Sequence, residues 1–387
     1  MLNITVITGT RADYGLLYWL IKDLNNNPKF KLNIVATGSH LSKIHGNTFK
    51  EIEKDGFKIK QKIKILGSKD DSLNTSLSTS RAIKGFAEYF NNNKVDLVII
   101  LGDRYEILAS CIAAMLSKIP LMHIHGGELT SGAYDDSIRH AITKMSHYHC
   151  TTNLEHMKRV IQLGENPERV KNFGAPGLEY LKRSNLLSKK DLSNELGFEL
   201  NNFFLFTYHP ETLSNLSTSR QIKNILKALD SYKDYKILFT YPNADSDGKK
   251  IIKYIENYSK KNLSRSLIVP SLGQVKYLSA LSACDLLIGN SSSGLIEAPS
   301  ANVPTVNIGN RQENRTSAKS VINVENDTQK IVKSISKGLS KEFRSNKNIY
   351  NNPYGEGRTS QKIIEWLMKL DIKNKKFFYD LPFKELD

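Results

Sequence analysis

Residues 121–144 read LMHIHGGELTSGAYDDSIRHAITK and set His123, His125, Glu128, Asp135, Asp136, Arg139 and His140 around three glycines. Two chemistries use such residues: metal ligation and proton transfer. His123 and His125 alternate on a predicted strand and so point to opposite faces, which suits one ion poorly. His140, His147 and His149 straddle a predicted helix end without a recognised ligand spacing. Acid/base work fits better. Glycines let a substrate approach the backbone, and carboxylates at a helix start sit where the dipole favours anions.

Other polar clusters follow the same placement, each between an apolar run and a helical pattern. Thr8–Gly15 (TGTRADYG) offers backbone N–H groups and Arg11 to an anion, or is a tight turn with Asp13 as helix cap. It carries neither the dinucleotide glycine pattern nor a P-loop. Gly289-Asn290-Ser291-Ser292-Ser293-Gly294 follows the run DLLI and precedes Glu297. Hydroxyls and N–H groups at a helix start suit a phosphate, and Glu297 one turn on suits ribose hydroxyls. Plain capping needs one serine, not three. Leu101–Glu106 (LGDRYE) places Asp103 beside Arg104, and Pro210 fixes a turn after His209. Asp245-Ser246-Asp247 has the D-x-D form of a metal and nucleotide-sugar site, although YPNA before it and Gly248 after it favour a turn and helix cap.

The elements that must position these groups alternate. Strands are predicted at 3–8, 32–37, 96–101, 119–124, 203–208, 236–240, 266–269, 285–288 and 304–308, with helical periods between them. Continuous apolar strands alternating with helices predict parallel sheets covered on both faces. The fold class is therefore α/β, with two Rossmann-like doubly wound domains at 1–175 and 176–358, and a helix and tail at 359–387 returning to the first. Ligands bind beyond the carboxyl ends of such strands, so a cleft between the domains is the expected active surface.

Composition narrows the classes. The 387 residues are 40% hydrophobic and 24% charged, as in ordinary globular proteins. No apolar run reaches the length of a membrane span, and MLNITVITGT does not read as a signal peptide. Cys111, Cys150 and Cys284 lie far apart, which predicts buried thiols in a reducing, cytoplasmic setting. The net charge of +16 is spread over scattered lysines with no basic block interleaved with aromatics, which favours a small anionic ligand over RNA.

In this order the motifs resemble those of the hydrolysing UDP-N-acetylglucosamine 2-epimerases of bacterial sialic acid biosynthesis. The resemblance runs from the first strand to about residue 370. It rests on TGTRADYG, GNT at 46–48, LGDRYE, HIHGGE with YDDSIRHAITK, RVIQLGE, HPET, PNAD, IGNSSSGLIEA and IGNRQ with Arg315. It implies a glycosyltransferase-B-like arrangement, no metal and no cofactor, and conversion of UDP-N-acetylglucosamine and water to N-acetylmannosamine and UDP. It implies a homodimer or homotetramer, with no nucleic-acid or membrane partner.

By the same resemblance, catalysis falls to Asp103, Asp135, Asp136, His125, Glu128 and His209. Binding of UDP and sugar falls to Arg11, Asp13, Gly15, His40, Arg104, Arg139, His209, Asn243, Asp245, Ser271, Asn290, Ser291, Ser292, Ser293, Gly294, Glu297, Arg311 and Arg315. The chain departs from many relatives in reading HIHGGE where they have HIEGGE, and in one extra residue before the Asp pair. Imidazole performs the same proton transfer near neutral pH. UDP-N,N′-diacetylbacillosamine is the alternative substrate within the family pattern. A glycosyltransferase of the same architecture and an anion- or RNA-binding protein are the more distant alternatives.

Overall fold

The computed structural model describes residues 1–67, 69, 71–129, 134–211, 214, 216–242, 247–372 and 375–382. The chain forms two compact units, Met1–Gly177 with Gly357–Asp387, and Leu178–Glu356.

The first unit is built on seven parallel strands: β1 (Leu2–Thr8), β2 (Phe30–Ala36), β3 (Ile59–Lys62), β4 (Leu97–Leu101), β5 (Leu121–Ile124), β6 (Tyr148–Thr151) and β7 (Val170–Asn172). Their order is β3-β2-β1-β4-β5-β6-β7. Central strands are apolar throughout because helices cover both faces; LVIIL of β4 is buried along its whole length. On one face Ile4 and Val6 pack with Leu17, Leu20, Ile21 and Leu24 of the Arg11–Asn26 helix. Ile363, Ile364 and Leu367 of the Thr359–Leu367 helix join that same core. Trp366 lies edge-on to Tyr148 and Phe173, and Thr359 Oγ1 donates to the Phe173 carbonyl (3.1 Å). On the other face Ile7, Val98 and Ile100 pack with Phe86 and Phe90 of the Ser72–Asn92 helix and Ile107 of the Tyr105–Leu116 helix.

The second unit repeats the plan with six parallel strands: β8 (Phe203–Thr207), β9 (Lys236–Phe239), β10 (Ser266–Ile268), β11 (Leu286–Gly289), β12 (Thr305–Ile308) and β13 (Val321–Val324). The order is β10-β9-β8-β11-β12-β13. Alternation along β8 sends Phe204 and Phe206 to one core and Phe203 and Leu205 to the other.

In each sheet the strand order reverses at one place, between β1 and β4 and between β8 and β11, which are the switch points where such folds bind ligands. Four strands were not expected from sequence. β3 carries lysines on an edge, β6 reads YHCT, β7 has three residues, and β13 is an edge strand. None shows the apolar run that marks a central strand. All three cysteines are buried and free. Among the described residues no helix is long and apolar enough to cross a membrane.

Candidate active site

At the end of β1 the chain turns through Gly9 into a helix capped by Thr10, whose hydroxyl accepts from the Asp13 N–H (3.1 Å). This corrects the expectation that Asp13 is the cap. Asp13 sits three residues in and reaches back, accepting from the Gly9 N–H (3.3 Å), so the two side chains close the turn reciprocally. Burial pushes its carboxyl up to about 6, with the Glu106 charge adding to the rise.

His40 is fully buried between Thr8 Oγ1 (3.0 Å at Nε2) and Thr48 Oγ1 (2.8 Å at Nδ1), and burial pulls it down to about 4. It is a neutral brace between the ends of β1 and β2. Arg11 is exposed, 3.9 Å from Glu51. Gly15 lies within the helix with open space beside its Cα, so nothing in its packing demands glycine.

Glu106 is a residue that the sequence reading passed over. It is fully buried, accepts from Arg104 Nε (2.6 Å) through Oε1, and abuts both Gly9 and Gly38. A Cβ at Gly9 would stand 2.6 Å from Oε1. The spacing Arg104-x-Glu106 was the available signal; its meaning depends on β1 lying beside β4.

At the end of β5 the expected alternation of His123 and His125 does not hold, because the strand stops at Ile124. His123 is buried between the Gly102 carbonyl (2.8 Å) and Thr143 Oγ1 (3.1 Å), and burial pulls it down to about 3. His125 adopts a left-handed backbone (φ 70°), unusual for a residue with a Cβ, and its Nδ1 lies 3.7 Å from Glu128 Oε2. Gly127 (φ 81°) must be glycine, since a Cβ there would run into the His156 carbonyl. Arg159 donates to the Gly127 carbonyl.

The Asp135–Met145 helix brings in the carboxylates. Arg139 is 4% exposed, pairs with Asp103 at the end of β4, and lies 3.7 Å from Asp136 Oδ1. His140 Nε2 is 3.5 Å from the other Asp136 oxygen. Asp135 is raised above the usual carboxylate range by desolvation first and by the nearby Asp103 charge second. One guanidinium thus ties Asp103 to Asp136, while Asp135 beside them holds a proton more readily. Carboxylates whose surroundings differ in this way can divide the roles of base and acid.

In the second unit Asn290 is the hub. Its Oδ1 accepts from the His209 N–H (2.7 Å) and its Nδ2 donates to the His209 carbonyl (2.9 Å), joining the ends of β8 and β11. Gly289 (φ 141°) lies against Thr207, where a Cβ would overlap the carbonyl. The Asn290 carbonyl accepts from Gln312 Nε2 (2.9 Å) and Arg311 Nη1 (3.2 Å), and Arg315 Nη1 donates to Gln312 Oε1 (3.0 Å). Glu211 Oε1 accepts from the Arg311 N–H (2.9 Å). His209, Asn290, Arg311 and Arg315 therefore form one network, with Glu211 and Gln312 as supports that sequence reasoning did not single out.

The serine turn opens a helix, as expected, but a short one. Ser293–Ile296 is a single turn after Ser291 and Ser292, with Gly294 packed on Thr305 and Glu297 at its end. Its dipole is correspondingly short, so any phosphate affinity rests on local N–H and hydroxyl groups. Ser271 is exposed after β10 and joins none of these networks. Asn243 and Asp245 lie outside the described residues. Asp247 precedes the Gly248–Lys261 helix with φ 67° and is occupied by Thr218 (2.9 Å) and Lys250 (2.9 Å). Among the described residues no group of His, Cys, Asp and Glu is arranged to hold a metal ion.

Two doubly wound parallel α/β units, with ionic clusters at their switch points, define a Rossmann-like α/β protein. The sequence pattern of the family described as UDP-N-acetylglucosamine 2-epimerase matches residues 22–368. The chain is 42% identical over 384 residues to the GDP/UDP-N,N′-diacetylbacillosamine 2-epimerase (hydrolyzing) of Campylobacter jejuni subsp. jejuni serotype O:2, covering 98% of this chain and 99% of that protein. It is 40% identical over 392 residues to polysialic acid biosynthesis protein P7 of Escherichia coli, covering 99% and 98%. The crystal structure of UDP-GlcNAc 2-epimerase from Neisseria meningitidis bound to UDP-GlcNAc has the same fold, with a TM-score of 0.76 at 19% identity over 96% of this chain and 100% of that one. The chain belongs to the UDP-N-acetylglucosamine 2-epimerase family.

Proposed function

We propose that the chain is a hydrolysing 2-epimerase that converts UDP-N-acetylglucosamine and water to N-acetylmannosamine and UDP. The observation that carries this reading is the bridge from Arg139 to Asp103 and Asp136 beside the raised carboxyl of Asp135. A carboxylate takes the C2 proton as the C1–O bond breaks and UDP leaves, giving a glycal. Water then adds its oxygen to C1 while an acid returns a proton to C2 from the opposite face, which inverts that centre. Asp103 is the base in this reading and Asp135 the acid. His125 and Glu128 form a second proton-transfer pair.

The leaving diphosphate needs cations and N–H donors matched to its growing charge. In the first unit Arg11 and Arg104 are groups of that kind, and in the second His209 and Arg311 with the N–H groups of Ser291 and Ser292. Glu297 takes the ribose.

A second reading changes only the sugar. The 42% identity to an enzyme named for N,N′-diacetylbacillosamine favours a substrate with an amide in place of a hydroxyl. Incubation of each UDP-sugar in deuterium oxide, followed by NMR, tests both. Free 2-epimerised sugar bearing deuterium at C2, with stoichiometric UDP, is expected from one of them. A product formed only when an acceptor sugar is supplied would make the chain a transferase instead.

A further inference from the structure

The residues after the Thr359–Leu367 helix contribute nothing to the clusters above, yet their contacts are specific. Lys376 Nζ donates to the carbonyls of Lys144 (2.6 Å) and Ser146 (2.6 Å) and to Glu165 Oε2 (2.7 Å). Both carbonyls lie at the C-terminal end of the Asp135–Met145 helix, where backbone acceptors lack intrahelical partners and a cation is favoured. An ammonium has three N–H donors, and here each has a short acceptor.

Glu165 is 3% exposed and also receives Lys144 Nζ (2.7 Å) and His149 Nε2 (3.0 Å). On either side of Lys376 the tail is pinned. The Lys375 carbonyl accepts from Arg169 Nη1 (2.8 Å), and the Tyr379 N–H donates to the Gly164 carbonyl (3.0 Å). Phe378 lies flush on Gly164, with Lys144 Nζ 4.8 Å over its ring.

The other end of that helix carries Asp135, Asp136, Arg139 and His140. We propose that Lys376 is a positioning residue: residues 375–379 form a strap that fixes the helix along its axis and so sets Arg139 and the Asp pair against Asp103. The catalytic part of this inference rests on the function proposed above. A helix is stiff enough to carry a shift from its last turn to its first, and misplacement of reacting groups by about 1 Å costs roughly a hundredfold in rate.

The strap also has a pH signature. Burial pulls the Lys376 ammonium down to about 8; Lys144 and Arg169 push the same way, and Glu165, which is shared with His149, opposes them. An undocked Lys376 would titrate near about 10.4, so between about 8 and 10.4 the undocked strap binds more protons and rising pH favours the docked state. The linkage sign for global stability is the same. The folded value lies below the unfolded one, so between about 8 and 10.4 the unfolded chain binds more protons and this group's contribution to stability rises with pH. The strap should therefore stay docked as pH rises from about 8 to 10, and turnover should not fall through loss of this contact.

The test compares wild type, Lys376→Met and Lys376→Arg in the full chain. The readouts are kcat and KM between pH 6 and 10, UDP affinity by calorimetry, and hydrogen exchange of residues 135–146. Lys376→Met should lower kcat about tenfold or more, leave UDP affinity unchanged and raise exchange at 140–146. Lys376→Arg, which keeps the charge and N–H donors, should restore most of kcat. Unchanged kcat in Lys376→Met would overturn the strap. If wild type acts on neither UDP-sugar, the functional reading fails by itself. Exchange then decides the strap: raised exchange in Lys376→Met supports it, and unchanged protection overturns it.

Discussion

Replacing Asp103 with Asn changes one oxygen for an NH2 group and leaves the shape nearly intact, so it separates charge from packing. Arg139 is buried and loses its ionic partner, but Asp136 remains 3.7 Å away and Asn still offers a carbonyl oxygen. Removing one member of a buried pair costs about 3–5 kcal/mol when nothing replaces it. The Asp103 side chain is 23% exposed and the replacement keeps an acceptor, so the cost here should be nearer 1–2 kcal/mol. Catalysis should lose far more. General acid–base groups contribute roughly 10²–10⁴-fold, which is about 3–5 kcal/mol of barrier. The assay follows UDP release and C2 deuteration, beside calorimetric UDP titration and thermal melting of the same preparations. The expected result is a collapse of turnover with UDP affinity unchanged and a melting point lowered by a few degrees. Turnover close to wild type would refute the assignment of Asp103 as base, and a loss of UDP affinity equal to the loss of rate would refute the division of roles.

Other outcomes follow from the same geometry. His209→Ala and Arg311→Ala should each weaken UDP binding by calorimetry, Arg311→Ala the more directly because its guanidinium reaches the Asn290 carbonyl. Gly289→Ala places a Cβ against the Thr207 carbonyl at φ 141°, so the second unit should melt lower by several degrees and lose UDP binding; an unchanged melting curve would contradict the close approach of β8 and β11. His123 is held neutral, with its value pulled to about 3 against about 6.5 when unfolded. The unfolded chain binds the extra proton in that window, so stability should fall on acidification by about 1.4 kcal/mol per pH unit from this residue. His123→Gln should flatten the dependence of denaturation midpoint on pH between 6.5 and 4.5, and an equal drop in both proteins would count against it.

The parallel sheets were legible because their central strands are apolar on both faces; LVIIL of β4 and FFLFT of β8 admit no other reading. The edge strands were not, since IKQK of β3 is amphipathic by half and is recognised only through its pairing with β2. Asp103 stands just past a strand end, but Asp135 and Arg139 lie on a helix, and the roles of all three come from the family resemblance. Glu106 escaped because its place against Gly9 and Gly38 is set by the fold, and Glu211 and Gln312 because they meet Arg311 and Asn290, which are far off in sequence. The left-handed His125 was also invisible, because the end of β5 is set by pairing with β6 and not by residue type.

The first unit is closed by a helix that is translated after the whole of the second. Until residues 359–367 leave the ribosome, the face formed by Ile4, Val6, Leu17 and Leu24 lacks Ile363, Ile364 and Leu367. The middle stretch, 178–356, is contiguous and can settle first, so the order of maturation runs opposite to the order of the genetic message for the opening lobe. A nascent chain halted near residue 356 would carry one finished lobe and one with a greasy flank still bare, which is the stage at which chaperone capture is most strongly demanded.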